Sequence, residues 1–436
     1  MTSTGPSARR HDREILRLAA PALGALAVDP LVSLVDTAFV GRLGAEALAA
    51  VALAGAVFAI SFALFNFLEY GVTPYVAAAL AAGDGRRAGR FVLGALIVGA
   101  AAGTVVAVAV GGAAVWILRA LGAGPGVIET AVSYLRIRAI ALPAVMVAMV
   151  GHGAFRGAQD TRTPMVVTAG FNLVNVVADP LLIFGLGLGV VGAAIATAIA
   201  QVLGAAWFLV LLVRSDVLSI QRVWPGRDAL APLWGAGRAL VVRTGALLAT
   251  LTIATAVAAR VGTAAVAAHQ IAMQLWLFLA LSLDALAIAG QAMVAKALGE
   301  GARSEAKAIA DRLLLFGAAG GTVLAVGLLL VRPWLGSWFT PDAGVLTAFA
   351  AIYGFLALMQ PLNGLVFVWD GVAIGAEAYG FLAAGTVAAG VVAVGVLALV
   401  IPLSLGLAGV WWAIVAMMVV RAVFLGWWHV RGPLAA

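Results

Sequence analysis

Twelve apolar stretches dominate this chain of 436 residues, and they leave it few ways to fold. They run approximately over 15–40, 48–81, 91–118, 130–155, 165–186 and 191–213. A second set covers 237–260, 265–298, 309–331, 345–374, 379–402 and 406–428. A helix that crosses a bilayer takes ~20 apolar residues, so each stretch is long enough for a span. Several exceed a straight crossing, and tilt or kinking is expected there. The chain is 64% hydrophobic and only 10% charged, where soluble domains carry about 25% charge. The expected fold is therefore all-α and polytopic, with almost nothing left over for a soluble domain.

The basic residues set an orientation. With the amino terminus in the cytoplasm, 18 of the 26 Lys and Arg fall in cytoplasmic segments. Six (Arg42, Arg119, Arg136, Arg138, Arg260 and Arg332) fall outside or near it, and Arg243 and Arg421 lie within spans. This is the positive-inside pattern, and it accounts for the net charge of +7 without a nucleic-acid partner. Both termini are expected inside, which requires an even number of crossings. The first apolar stretch contains Asp29, Pro30 and Asp36 and no small-residue cleavage site, so it reads as a first span rather than a removable signal. The absence of cysteine excludes disulfides, thiolate metal sites and cysteine nucleophiles.

The chain also matches itself. TAFVGRLGAEALAA from Thr37 aligns with TAVAARVGTAAVAA from Thr255, 218 residues on, bringing Arg42 onto Arg260 and Gly44 onto Gly262. At the same offset Pro143 falls on Pro361, and Gly153, Gly157 and Ala158 fall on Gly371, Gly375 and Ala376. GLGVVGAAIA from Gly187 meets SLGLAGVWWA from Ser404 at 217. Shared Ala and Gly alone would not keep Arg, Thr and Pro in one register. Six spans separate the copies, so they run parallel, around an axis along the membrane normal. Repeats of this kind place a central cavity between two bundles that opens to either side in turn. The expected division is a tail at 1–14, an N-lobe at 15–213, a cytoplasmic linker at 214–236, a C-lobe at 237–428 and a tail at 429–436.

A carboxylate near the bilayer centre costs at least ~2.5 kcal/mol, so each needs a reason. Asp29, Ser33 and Asp36 share one face of the first helix, above Pro21, which deletes one backbone hydrogen bond and is expected to act as a hinge. Asn172, Asn175 and Asp179 share a face of the fifth helix, and Thr197 lies in the sixth. Together these faces can enclose a cation. Two close carboxylates in a dry site cannot both stay ionised cheaply, which makes the pair a proton acceptor. The bland alternative is that Asp29 and Asp179, each followed by proline, cap helix ends near headgroups. The second half offers His269, Gln270, Asp284, Gln291, Asn363 and Asp370. His152 and Asp370 are repeat mates; either histidine can relay protons or merely bond between helices. Glu69 stays unassigned.

Twelve spans, two parallel halves and the phrases VDTAFVGRLGAEALAAVAL, GHGAFRGAQDTRTP, AAHQIAMQLW, LDALAIAGQAMVAKALG and FVWDGVAIGA together resemble the multidrug and toxic compound extrusion (MATE) family, across residues 14–428. The AAHQI and LDALAIAGQA segments look most like its DinF-like branch. The resemblance implies export of organic, often cationic and amphipathic compounds against an inward flow of protons or sodium ions, with no cofactor and no metal. It implies a coupling site at Asp36, Asn175, Asp179 and Thr197. Asp29, Asn172, His152, His269, Gln270, Asp284, Asn363 and Asp370 are candidates for the substrate cavity. Val32 stands where relatives can carry Tyr, and His152 where they can carry Asn. The seventh helix has no carboxylate and Asn363 replaces the tenth-helix aspartate of the NorM-like branch, which favours protons over sodium. A monomer in the inner or plasma membrane is expected, bacterial rather than plastid. A lipid flippase of the same superfamily ranks second, because only Arg243 and Arg421 are basic within the spans, with Arg136 and Arg138 near an end, where a pyrophosphate would need several. An intramembrane enzyme lacks any paired ligand or Ser–His arrangement.

Overall fold

The computed structural model describes residues 6–215, 227–432 and 434, so 216–226 of the expected 214–236 linker and parts of both tails lie outside the described residues. Among the described residues the structure is helical throughout, without strands. The amino-terminal half comprises α1 (Pro6–Gly41), α2 (Ala45–Phe65), α3 (Phe67–Ala81), α4 (Gly85–Ala120), α5 (Pro125–Ile140), α6 (Leu142–Gly157), α7 (Arg162–Pro180) and α8 (Gly189–Val213). The second half comprises α9 (Arg227–Val261), α10 (Thr263–Gly299), α11 (Arg303–Leu335), α12 (Ala343–Leu358), α13 (Gln360–Gly375), α14 (Tyr379–Val400) and α15 (Gly406–Arg431).

Ten of these helical runs are long and apolar enough to cross a bilayer. Two bent pairs bring the spans to twelve: α5 with α6, bent by 47°, and α12 with α13, bent by 50°. The bends are repeat mates with one cause. Pro143 and Pro361 occupy the start of α6 and α13, where the missing N–H and the ring deny the helix its continuous ladder. The sequence predicts single helices over 130–155 and 345–374, and each is instead broken at its proline. The α2–α3 run likewise pauses at Asn66.

The repeat is visible in the packing. A methyl group added at Gly103 would meet Pro143 Cα at 2.7 Å, and one at Gly321 would meet Pro361 Cα at 2.8 Å. Such approaches admit only glycine, and both partners recur at the 218 offset.

The chain separates into two compact units, residues 24–237 and residues 1–23 with 238–436. Pro21 therefore lies two residues before the boundary, and α1 contributes to both units. Its first turns are held within the second unit by ion pairs. Arg312 donates to Asp12 through Nε at 2.5 Å and Nη2 at 2.6 Å, and Lys296 Nζ lies 3.9 Å from Glu14 Oε1. Apolar contact forms the interior of the first unit, where Leu68, Phe91, Leu118, Leu135, Met146 and Phe208 are fully buried.

Candidate coupling site

The proposed coupling residues meet within the first unit. α7 presents Asn172, Asn175 and Asp179 on its buried face, with Asn175 2% and Asp179 0% exposed. Asp179 immediately precedes Pro180, after which the chain widens into one π-helical turn, Leu181–Gly185. Turns of this kind recur at functional sites because they displace the ladder by one residue. Full burial sets Asp179 apart from a headgroup cap. Asp36, half-buried on α1, meets Asp179 side chain to side chain.

Hydrogen-bond chemistry limits that contact. An ionised carboxylate only accepts, so two carboxyl groups join only through a shared proton. Asn175 Nδ2 donates to Asp179 Oδ1 and to Thr197 Oγ1, both at 3.4 Å. The Thr197 hydroxyl spends its own proton on Ala193 O at 2.9 Å. It therefore offers Asn175 a lone pair only. Asp36 Oδ1 and Asp179 Oδ2 keep no protein donor. The arrangement is loosely bonded: both Asn175 bonds lie beyond the usual range for N–H to O.

One member escaped the sequence reading. A fourth span over 130–155 places Arg138 among the bases outside or near it. The helix instead begins at Pro125 and bends at Ala141, which places Arg138 one turn before a mid-span bend. Its charge acts on both Asp36 and Asp179. Its Nη1 donates to Tyr134 Oη at 3.1 Å and its guanidinium lies 4.9 Å from the centre of the Phe58 ring. The proline two residues beyond the bend was the available signal.

The remaining candidates fall elsewhere. Asn172 Nδ2 donates to Thr168 O of its own helix at 3.0 Å. His152 Nε2 lies 3.3 Å from Thr168 Oγ1, its ring packed against Phe208. The side chain of Asp29 lies outside the described residues. In the second unit, Asp370 is 4% exposed and its Oδ2 accepts from both Arg243 and Arg421. Asp284 is half-buried within electrostatic range of Arg421. Asp370 is thus occupied by arginines, and the two in-span bases Arg243 and Arg421 share one acceptor. His269 Nε2 lies 3.2 Å from Thr255 Oγ1, whose proton goes to Leu251 O at 3.1 Å, so the imidazole is the donor there. Gln270 is exposed, while Asn363 is buried on α13. Glu69, unassigned from sequence, pairs with the buried Arg156.

Known proteins agree with this architecture. The MatE family model matches residues 21–181 and 246–401. The protein named DETOXIFICATION 44, chloroplastic, of Arabidopsis thaliana is 36% identical over 97% of this chain and 83% of its own length. DNA damage-inducible protein F of Escherichia coli K12 is 29% identical over 66% of this chain and 64% of its own length. A solved structure described as the outward-facing conformation of a multidrug resistance MATE family transporter of the MOP superfamily aligns over 100% of both chains, with a TM-score of 0.87 at 24% identity. A chloroplastic relative more similar than the bacterial one gives no support to the expectation of a bacterial over a plastid membrane. Two parallel halves, the bent spans at Pro143 and Pro361, and a family match over most of both halves lead to one conclusion: the chain belongs to the MATE family, whose members are membrane transporters and not enzymes.

Proposed function

We propose that this transporter is a secondary active antiporter that exports organic, often cationic and amphipathic compounds in exchange for protons. The observation that carries this reading is the contact of Asp36 with the fully buried Asp179, a geometry that needs a proton between them. A cargo cation supplies the charge that the proton otherwise supplies, so the two compete for one site. Competition of this kind couples their movements, because a conformational equilibrium shifts only through differential binding. Asn175 and Thr197 hold Asp179 in register. Pro21, at the boundary between the two units, is the proposed hinge of α1. Both termini are placed on the cytoplasmic side by the count of basic residues, no cofactor is needed, and one chain supplies both lobes of a working monomer.

Sodium is the weaker alternative as the driving ion. In the second half the buried carboxylate Asp370 is already held by two arginines, and Asn363 carries no charge. The same pairing leaves Arg243 and Arg421 poorly suited to a lipid pyrophosphate, which speaks against a flippase. The test is uptake of a fluorescent organic cation into inverted vesicles under an imposed pH gradient, then under a sodium gradient. Uptake should follow the pH gradient and vanish in Asp36→Asn while that variant stays folded. Full activity of Asp36→Asn sinks the mechanism; uptake driven only by sodium sinks the choice of ion.

A further inference from the structure

An arginine in mid-span is costly, and such residues ordinarily mark a working site. Arg138 stands near the bend of the α5–α6 span and, among the described residues, makes one side-chain hydrogen bond, from Nη1 to Tyr134 Oη at 3.1 Å. Its Nε is buried without an acceptor. Within electrostatic range of it, Asp36 Oδ1 and Asp179 Oδ2 are buried without a donor among the described residues. Donors and acceptors left over within electrostatic range of one another are complementary. The aromatic rings of Phe58 and Tyr134, 4.9 and 5.8 Å from the guanidinium, hold the cation where it rests.

From this geometry we infer that Arg138 is a positioning residue, an internal counter-cation that sets when the Asp36–Asp179 pair gives up its proton and that excludes sodium from the pair. The inference rests on the proton-coupled reading above. With one proton on the pair, one carboxylate and Arg138 cancel. When the proton leaves, the second negative charge needs a monovalent cargo cation to restore neutrality. A small metal ion would compete with a guanidinium whose charge already acts on the same pair. The groups facing the pair are Arg138 from α5, neutral Asn175 from α7 and neutral Thr197 from α8. Phe58 of α2 and Tyr134 of α5 contact Arg138. Farther along α7, His152 of α6 engages Thr168.

The test is binding of ethidium to the purified full-length protein in detergent, followed by fluorescence anisotropy across the neutral pH range. In the wild type, binding should rise with pH and be indifferent to sodium. In Arg138→Gln the midpoint should move to higher pH by about one unit, because an opposite charge that favoured ionisation is gone, and sodium should now compete. Arg138→Lys should stay near wild type. Tyr134→Phe frees the guanidinium to approach the carboxylates, so its midpoint should move to lower pH. Opposite shifts from neighbouring substitutions are not the signature of lost packing. Thermal unfolding and size-exclusion profiles check that each variant is folded, and Tyr134→Phe with Arg138→Lys carries the test if Arg138→Gln does not fold. Unchanged midpoints in Arg138→Gln and Tyr134→Phe overturn the role of Arg138 alone. Wild-type binding without any pH dependence overturns the proton-coupled reading together with it.

Discussion

Gly103 packs on Pro143 in one half and Gly321 on Pro361 in the other, yet the buried charges of the two halves are arranged in opposite ways. In the first unit two carboxyl groups meet with one arginine near them, bonds of 3.4 Å, and acceptors to spare. In the second unit two arginines converge on one carboxylate oxygen, Asp370 Oδ2, with Asp284 in range. The first arrangement, under the proposed coupling, takes up or releases a positive charge at little structural cost. The second cannot, because removing any member strands a buried charge. The two copies share the scaffold contact and differ in how their buried charges are matched.

The sharpest way to break this comparison is Asp370→Ala, which leaves two guanidinium groups buried without their acceptor. It should destabilise the fold by about 3–5 kcal/mol, read as lost monodisperse protein and a lowered Tm. If Asp370→Ala is as stable as wild type, the second cluster is not a structural tie. Replacing the whole cluster sharpens the point: Arg243→Met, Asp284→Asn, Asp370→Leu and Arg421→Met together should recover most of that loss, since neutral substitutes for a complete buried ion cluster are often tolerated. Gly103→Leu and Gly321→Leu should each cost at least about 1–3 kcal/mol by overpacking. Their effects on Tm should match, because the scaffold contact is shared; a large inequality would argue against equivalent packing. Asp179→Asn should change stability by no more than about 1 kcal/mol and yet remove the pH dependence of transport, a separation that vesicle uptake and thermal unfolding measure side by side. The smallest effect is expected from Thr197→Val, less than about 1 kcal/mol, because its contact with Asn175 is already long; a shift in transport affinity without a change in Tm is the anticipated result.

Hydrophobic run length and a repeat at 218 made the helical class, the number of spans and the family legible before any coordinates. These are properties of spacing, which lipid enforces directly: each backbone polar group in the bilayer must be satisfied within its own helix. The set Asp36, Asn175, Asp179 and Thr197 was legible for the same reason, since helical spacing puts polar residues on one face and polar faces in lipid seek each other. Charge pairing was not legible. Arg138 looked like a base near the outer end until the bend at Ala141 carried it to mid-span. Asp370 looked like a cavity residue until Arg243, 127 positions away in sequence, and Arg421 closed on it. The sequence by itself determined a two-fold repeated, lipid-embedded helical scaffold and the polar faces within it. Only the tertiary structure decided which charges neutralise one another, because an ion pair depends on distances of a few ångströms between helices that share no local periodicity.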